Sequence, residues 1–158
     1  MKLRSALALL LLCTPLFAAA PARVVVRGPS GAKTFTAAEL AALPQTTVTI
    51  DEHGKRGTFR GTELAHLLTA AGAPSGEKLR GKAIASYVLV EAADGYRAVF
   101  AATELDRGFS DRPVILATTR DGKPLDEKEG PLRVVVSGEK RPARCVRQVT
   151  RISLVTAP

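Results

Sequence analysis

The side chains best suited to chemistry in this chain are three arginines near its carboxyl end, Arg144, Arg147 and Arg151. Their spacing of three and then four residues would place them on one side of a helical turn. A guanidinium group donates two parallel hydrogen bonds to an oxyanion, so such a cluster is typical of a site for a small anion. Arg133, which follows Gly130-Pro131, is a fourth candidate. The alternative is a solvent-exposed basic face that pairs with nearby glutamates.

A second candidate is the charged segment Asp51-Glu52-His53-Gly54-Lys55-Arg56, which follows a predicted strand. Three interpretations remain open: a solvent-exposed turn, an adapted small-ligand site, or a metal site formed by Glu52 and His53. We favour the turn and assign neither a metal ligand nor a catalytic residue. His66 lies in a predicted amphipathic helix, where a partly exposed histidine is expected rather than a ligand.

Other reactive patterns are missing from the sequence, which contains no Cys-x-x-Cys, His-x-x-x-His, Gly-x-Ser-x-Gly or phosphate-binding glycine loop. Cys145 lies among Val146, Val149 and Ile152, and these apolar neighbours predict a buried, inert thiol. A reactive or intermolecular thiol is the alternative.

The first 22 residues are typical of a secretory signal peptide. Lys2 and Arg4 precede an apolar run from Ala6 to Phe17, and Ala20-Pro21-Ala22 supplies small residues for cleavage. We expect cleavage near Ala22 and a periplasmic or secreted protein, with no transmembrane segment afterwards. The alternative is an uncleaved membrane anchor.

The charge of the chain favours anionic partners. The formal net charge is +8, and loss of Lys2 and Arg4 would lower it to +6. Such a surplus suits a small anion, an acidic protein or a membrane surface. A nucleic-acid partner is not expected, because aromatic residues make up only 4% of the chain, the cations are dispersed, and export separates the protein from nucleic acid.

The elements that must position these residues are mostly short strands. Thr36 and Glu39 form a capping-box pattern before a short helix over 37–43, and the strongest helix pattern runs from 62 to 71. The polar stretch 51–61 is predicted to be irregular. Because strands outnumber helices and do not alternate with them, we predict one α+β domain over residues 23–158, with mixed curved β-sheets and a few short helices. The predicted strands span 23–28, 46–50, 83–92, 96–100, 114–118, 132–136 and 148–155.

A series of short motifs carries a family resemblance. Their order is Phe-Arg-Gly at 59–61, Asp-Gly-Tyr at 94–96, Asp-Gly-Lys-Pro-Leu at 121–125, Gly-Pro-Leu-Arg-Val-Val-Val at 130–136 and Arg-Cys-Val-Arg-Gln-Val at 144–149. This succession resembles the molybdopterin-binding domain of the sulfite oxidase family. The resemblance implies the α+β fold of that family, an oxidoreductase ancestry and molybdopterin as a possible cofactor.

One departure from the family pattern concerns the metal. Family members hold molybdenum through one cysteine thiolate, and the resemblance places Glu52 at that position and Arg56 on a common arginine. A carboxylate is a poor substitute for the soft thiolate. Basic residues near the carboxyl end lie close to the pterin or the oxyanion substrate in the family. The resemblance therefore nominates as binding residues Arg133, Arg144, Arg147, Arg151, Glu52 and Arg56.

We therefore expect an exported domain that is not itself a molybdenum enzyme and binds no cofactor. It would act as a small-anion-binding, sensory or partner-docking module, with a membrane sensor or a redox protein as its partner. The alternative is a periplasmic molybdopterin-dependent oxidoreductase that holds its cofactor without a cysteine ligand. An interaction domain without any small ligand is a third hypothesis.

Overall fold

A computed structural model describes residues 22–157. Of the predicted signal peptide, residues 1–22, all but Ala22 lie outside this range. Two five-stranded sheets and three short α-helices confirm the predicted α+β class. Between residues 22 and 157 no helix has the length and apolar character needed to span a membrane.

The first sheet, sheet A, contains both ends of the described chain. Its strands are β1 (Arg23–Gly28), β2 (Gly31–Thr36), β5 (Ser86–Ala92), β6 (Arg97–Ala101) and β10 (Val149–Thr156). The order is β2-β1-β10-β5-β6. The β1–β10 pair is parallel and the other pairs are antiparallel, so sheet A is mixed, as predicted.

The second sheet, sheet B, is antiparallel. Its strands are β3 (Gln45–Glu52), β4 (Lys55–Glu63), β7 (Val114–Arg120), β8 (Lys123–Pro124) and β9 (Arg133–Val136). The order is β3-β4-β7-β8, and β9 also pairs with β7.

The segment 51–61, predicted to be irregular, instead contains the end of β3, a two-residue turn and most of β4, so that prediction is wrong. Polar side chains face outward along β4, while glycines occupy two of its buried positions, Gly57 and Gly61. A Cβ atom on Gly61 would lie 2.0 Å from the carbonyl oxygen of Leu116, so only glycine allows this close approach of β4 to β7. The sequence pattern therefore lacked the apolar alternation that identifies most strands.

Three short α-helices accompany the sheets: α1 (Ala37–Ala42), α2 (Leu64–Ala70) and α3 (Ala102–Leu105). The predicted capping box of α1 is confirmed, because the Glu39 amide donates to Thr36 Oγ1 at 3.4 Å and the Thr36 amide donates to the Glu39 carboxylate at 2.9 Å. The start of the predicted 62–71 helix is still β4, since Glu63 ends that strand. Single 3-10 turns span Gly76–Lys78, Gly81–Ala85 and Pro142–Arg144.

The main core lies between the two sheets and α2. Leu64, Leu67 and Leu68 of α2 are buried there against the inner faces of both sheets, including Val90 and Leu116. A smaller cluster covers the opposite face of sheet B. The smaller cluster contains Val48, Phe59, Ile115, Ala117 and Val135. Sheet B is thus buried on both faces around β7 and β9, and Arg133, the charged residue that begins β9, is buried as well.

Candidate functional site

The charged segment 51–56 forms a tight β-hairpin between β3 and β4. Glu52 pairs with Lys55, and His53 and Gly54 form the turn with φ values of +55° and +78°. Two consecutive positive φ angles match the twist of the flanking strands. The amide of Gly54 donates to Asp51 Oδ1 at 2.8 Å and fixes the turn. Glu52, at which the resemblance expects the family's cysteine, therefore lies at the end of a strand in a tight hairpin.

The carboxylate of Glu52 is bound to a buried arginine. Arg133, the first residue of β9, is only 1% exposed, and its Nη2 donates to Glu52 Oε1. Its Nη1 donates to Glu129 Oε1 at 2.7 Å. Arg120 Nη1 donates to that same Glu129 oxygen at 2.7 Å. Glu52 is therefore one end of a chain of ion pairs that continues through Arg133 and Glu129 to Arg120.

An aromatic ring supports this ion-pair chain. Phe59 of β4 is fully buried, and the guanidinium carbons of Arg133 and Arg120 lie 5.0 Å and 5.2 Å from the centre of its ring. Cation–π attraction and the two carboxylates together compensate for the burial of Arg133. The Nε atom of Arg133 is buried and has no hydrogen-bond partner within residues 22–157. Among the three nitrogens of this guanidinium, Nε is therefore the one that no described protein group accepts from.

A cavity of about 240 Å³ lies beside the hairpin. Its lining includes Glu52, His53 and Arg133. The Asp94–Tyr96 turn and segment 142–147, which begins with the 3-10 turn, complete the lining, and Tyr96 Oη donates to the Ala143 carbonyl at 2.7 Å. The lining residues that have polar or sulfur-containing side chains are Glu52, His53, Asp94, Tyr96, Arg133, Cys145 and Arg147.

The cavity contains the one cysteine of the described chain. Cys145 is 7% exposed, and burial raises the pKa of its thiol above the ordinary value. The predicted buried thiol is thus confirmed. A raised pKa keeps the sulfur protonated near neutral pH, whereas a metal ligand must be a thiolate. Across residues 22–157 no group of three or more His, Cys, Asp or Glu side chains is arranged to hold a metal ion.

Arg144, the first member of the predicted arginine cluster, is bound by carboxylates. Its Nη1 donates to Glu104 Oε1 and its Nε donates to Glu139 Oε1, both at 2.8 Å. Its guanidinium also lies 4.6 Å from the Phe100 ring centre and donates to the Val99 carbonyl. Burial alone would lower the pKa of Arg144, but the hydrogen bonds and charges of Glu139 and Glu104 raise it above its ordinary value. Arg144 therefore joins the edge strand β6 and α3 to the carboxyl-terminal segment.

The other predicted binding residues are divided between separate surfaces. The helical turn expected over 144–151 does not form, because the 3-10 turn ends at Arg144 and β10 begins at Val149. Arg151 lies on β10, 3.4 Å from the Glu91 carboxylate. Arg56 lies on β4 opposite Asp51 and does not line the cavity. Arg147 does line it, is exposed and makes no ion pair within residues 22–157.

The structure thus brings together three of the six nominated residues, Glu52, Arg133 and Arg147. Sequence reasoning missed the contribution of Tyr96 and Asp94 to the cavity, because the Asp-Gly-Tyr motif was used only as part of the family resemblance. The motif forms a turn, in which the Tyr96 amide donates to Asp94 Oδ1 at 2.9 Å. The long separation between the Asp-Gly-Tyr motif and segment 142–147 left no local signal that they meet.

Comparisons with known proteins agree on one fold. A family model described as "Oxidoreductase molybdopterin binding domain" matches residues 14–158. The crystal structure of the sulfane dehydrogenase SoxCD from Paracoccus pantotrophus is similar, with a TM-score of 0.64 and 22% sequence identity. The similar region covers 84% of this chain but only 37% of the SoxCD chain. No curated protein matches the sequence.

Proposed function

Since the chain belongs to the oxidoreductase molybdopterin-binding domain family, we propose that it keeps the family's fold and pocket for a small anion rather than for thiolate-bound molybdenum. The sulfite oxidase-type fold predicted from the motifs is confirmed by the family match and by the similarity to SoxCD. The proposed setting is the periplasm, where the domain would serve as a binding or sensory module or would dock onto a partner.

The observation that carries this proposal is the ion pair between Glu52 and Arg133. Molybdenum bound to a pterin takes a soft sulfur ligand at this position in the family, whereas Glu52 offers a hard oxygen. That oxygen already accepts a hydrogen bond from a buried guanidinium. If Glu52 bound a metal instead, the buried Arg133 would lose one of its two carboxylate partners, and removing a partner from a buried ion pair costs folding free energy. The residues at the family's metal position therefore do not fit thiolate-bound molybdenum.

The anion-binding part of the proposal rests on Arg147. Arg147 is exposed, lines the cavity and has no carboxylate partner in the described chain, whereas Arg133 is already paired with Glu52 and Glu129. The charge of Glu52 is compensated by Arg133, and the Asp94 carboxylate accepts the hydrogen bond of its own turn. A planar guanidinium such as Arg147 is suited to an oxyanion that approaches from solvent.

Calorimetric titration with sulfite, sulfate and phosphate tests the proposal. Arg147→Gln should weaken the binding of the preferred anion about tenfold, because one charge-assisted contact is lost. Arg151→Gln is the matched control, since it removes the same charge from the outer face of β10, away from the cavity. An equal effect of both variants, or no binding by the wild-type protein, would contradict the proposal.

A second candidate function is a molybdopterin-dependent oxidoreductase that holds its cofactor without the usual cysteine. The observation in its favour is that a different sulfur, Cys145, lines the same cavity as Glu52. Cys145→Ser separates the two candidates. If the wild-type protein contains molybdenum and the variant loses it, the second candidate is correct.

A further inference from the structure

A buried carboxylate joins two exposed segments of the chain, 75–85 and 106–110. Asp106 is 9% exposed, and its Oδ2 accepts from the Gly76 amide at 2.7 Å while its Oδ1 accepts from the Gly108 amide at 2.7 Å. The amide of Phe109 donates to the Asp106 carbonyl at 3.0 Å. The 3-10 turn Gly81–Ala85 also contacts α3, which immediately precedes Asp106. The two segments therefore form one continuous surface on the side of the molecule defined by α3.

This surface combines unpaired cations with exposed apolar side chains. Lys78, Arg80 and Lys82 are exposed, and none of them makes an ion pair within residues 22–157. Ile84 and Phe109 are 49% and 52% exposed, which is unusual for such large apolar residues. We call these five residues the Lys78–Phe109 surface.

The local geometry keeps these side chains in solvent. Leu79, between two of the cations, is only 2% exposed and anchors the segment in the core. Leu79 and Ser75 line a small apolar cavity together with Leu105 and Asp106, so both segments are fixed to the same underlying structure. The exposed side chains therefore project from a firmly attached backbone.

We propose that the Lys78–Phe109 surface binds an anionic lipid bilayer. Three cations would lie at the level of the lipid phosphates, while Ile84 and Phe109 would enter the boundary between headgroups and acyl chains. Glu77 is the one exposed carboxylate of segments 75–85 and 106–110, and Arg107 is already paired with Glu63 at 2.7 Å. The surface thus keeps an excess of positive charge that complements anionic lipid. This inference does not depend on the function proposed for the cavity.

Each cation near an anionic bilayer contributes a free energy that corresponds to about a fivefold change in the partition coefficient. Replacing Lys78, Arg80 and Lys82 together with glutamine should therefore lower binding roughly a hundredfold. Phe109→Ser should lower it about fivefold without any change in charge. Added salt should weaken binding by screening the cations.

The experiment is co-sedimentation of the protein, purified from exporting cells, with vesicles of equal parts phosphatidylglycerol and phosphatidylcholine. Vesicles of pure phosphatidylcholine provide the neutral comparison and should bind little protein. Every variant carries the same amino terminus, so residues before Arg23 contribute equally to all measurements.

The matched control removes three cations from turns of sheet B and its neighbouring loop, Lys55, Lys123 and Lys128, again by replacement with glutamine. All three are exposed. Binding by this control should stay close to that of the wild-type protein. Equal losses in both triple variants would show that net charge alone is responsible and would overturn the proposal. Failure of the wild-type protein to bind anionic vesicles at low salt would also overturn it.

Discussion

Glu52 and Arg133 are 81 residues apart in the sequence, yet the guanidinium of Arg133 binds the Glu52 carboxylate at the end of β3. The arginine is buried, and Glu129 binds its other terminal nitrogen at 2.7 Å. Glu52, at which the resemblance expects a metal ligand, is thus part of an ion-pair network. In this chain the network holds the hairpin turn 53–54 against the start of β9.

The first prediction concerns the buried arginine. Arg133→Gln should lower the free energy of unfolding by about 3–5 kcal/mol, because the largely buried Glu52 and Glu129 would lose their shared cation. Arg147→Gln, which removes an exposed cation of the same cavity, should cost less than about 1 kcal/mol. Urea denaturation measures both values. A similar small loss for the two variants would mean that the buried network contributes little to the fold.

The second prediction concerns the packing of α2. Leu68 is 5% exposed and faces the main core, so Leu68→Ala should lower the free energy of unfolding by about 2–4 kcal/mol. The adjacent Thr69 is exposed, and Thr69→Ala should change stability by no more than about 0.5 kcal/mol. Thermal and urea unfolding of the two variants provide the comparison. A loss well below 1 kcal/mol for the leucine variant would show that α2 is not packed as described.

The third prediction concerns stability in acid. The hydrogen bonds that Arg107 donates to Glu63, at 2.9 Å and 2.7 Å, lower the pKa of that carboxyl below its ordinary value of 4.5. A carboxyl whose pKa is lower in the folded than in the unfolded chain adds stability above its ordinary pKa, and this stability is lost as the pH falls through the folded pKa. Arg107→Gln should therefore reduce the difference in unfolding free energy between pH 7 and pH 3.

Urea titrations of the wild-type protein and the Arg107→Gln variant across this pH range measure that effect. Arg97→Gln is the control, because Arg97 pairs with Glu91 at 3.2 Å on an exposed face, where solvent screens the interaction. Parallel pH profiles for the wild-type and Arg107→Gln proteins would exclude a role for the Glu63–Arg107 pair.

The fourth prediction concerns the thiol of the cavity. Because burial raises the pKa of Cys145 and restricts access to its sulfur, alkylation by iodoacetamide at pH 7.5 (about 1 unit below the ordinary thiol pKa) should be slow in the folded protein and fast in denaturant. Mass spectrometry follows the modification over time. Equal rates in the two conditions would identify an accessible thiolate and would strengthen the case for Cys145 as a ligand.

Much of the fold could be predicted from local patterns. The apolar run of β5 and the Thr36–Glu39 capping box are signals within one element, and both elements form. The strand predicted over 83–92 begins only at Ser86, because residues 81–85 form a 3-10 turn. The strand β2 was missed because Phe35 is its one buried residue, so its conformation depends on hydrogen bonding to β1 rather than on an apolar pattern.

The site was less predictable, because the residues that form its ion pairs are distant from one another in the sequence. The spacing of Arg144, Arg147 and Arg151 favoured a shared anion site only if the backbone were helical there. In the structure Arg144 instead pairs with Glu104, 40 residues away, and Arg151 lies on the outer face of sheet A. Local spacing cannot identify which carboxylate a given arginine will meet.

The metal content of the protein tests the central claim most directly. Wild-type protein purified from molybdenum-replete cells should contain far less than one molybdenum per chain, because the Glu52 carboxylate is held by Arg133 and the nearby thiol is protonated. A molybdopterin enzyme purified from the same cells verifies that the cofactor was available, and Glu52→Cys should retain more metal if the cavity walls still accept the pterin. Stoichiometric molybdenum in the wild-type protein, with pterin released on denaturation, would contradict the account.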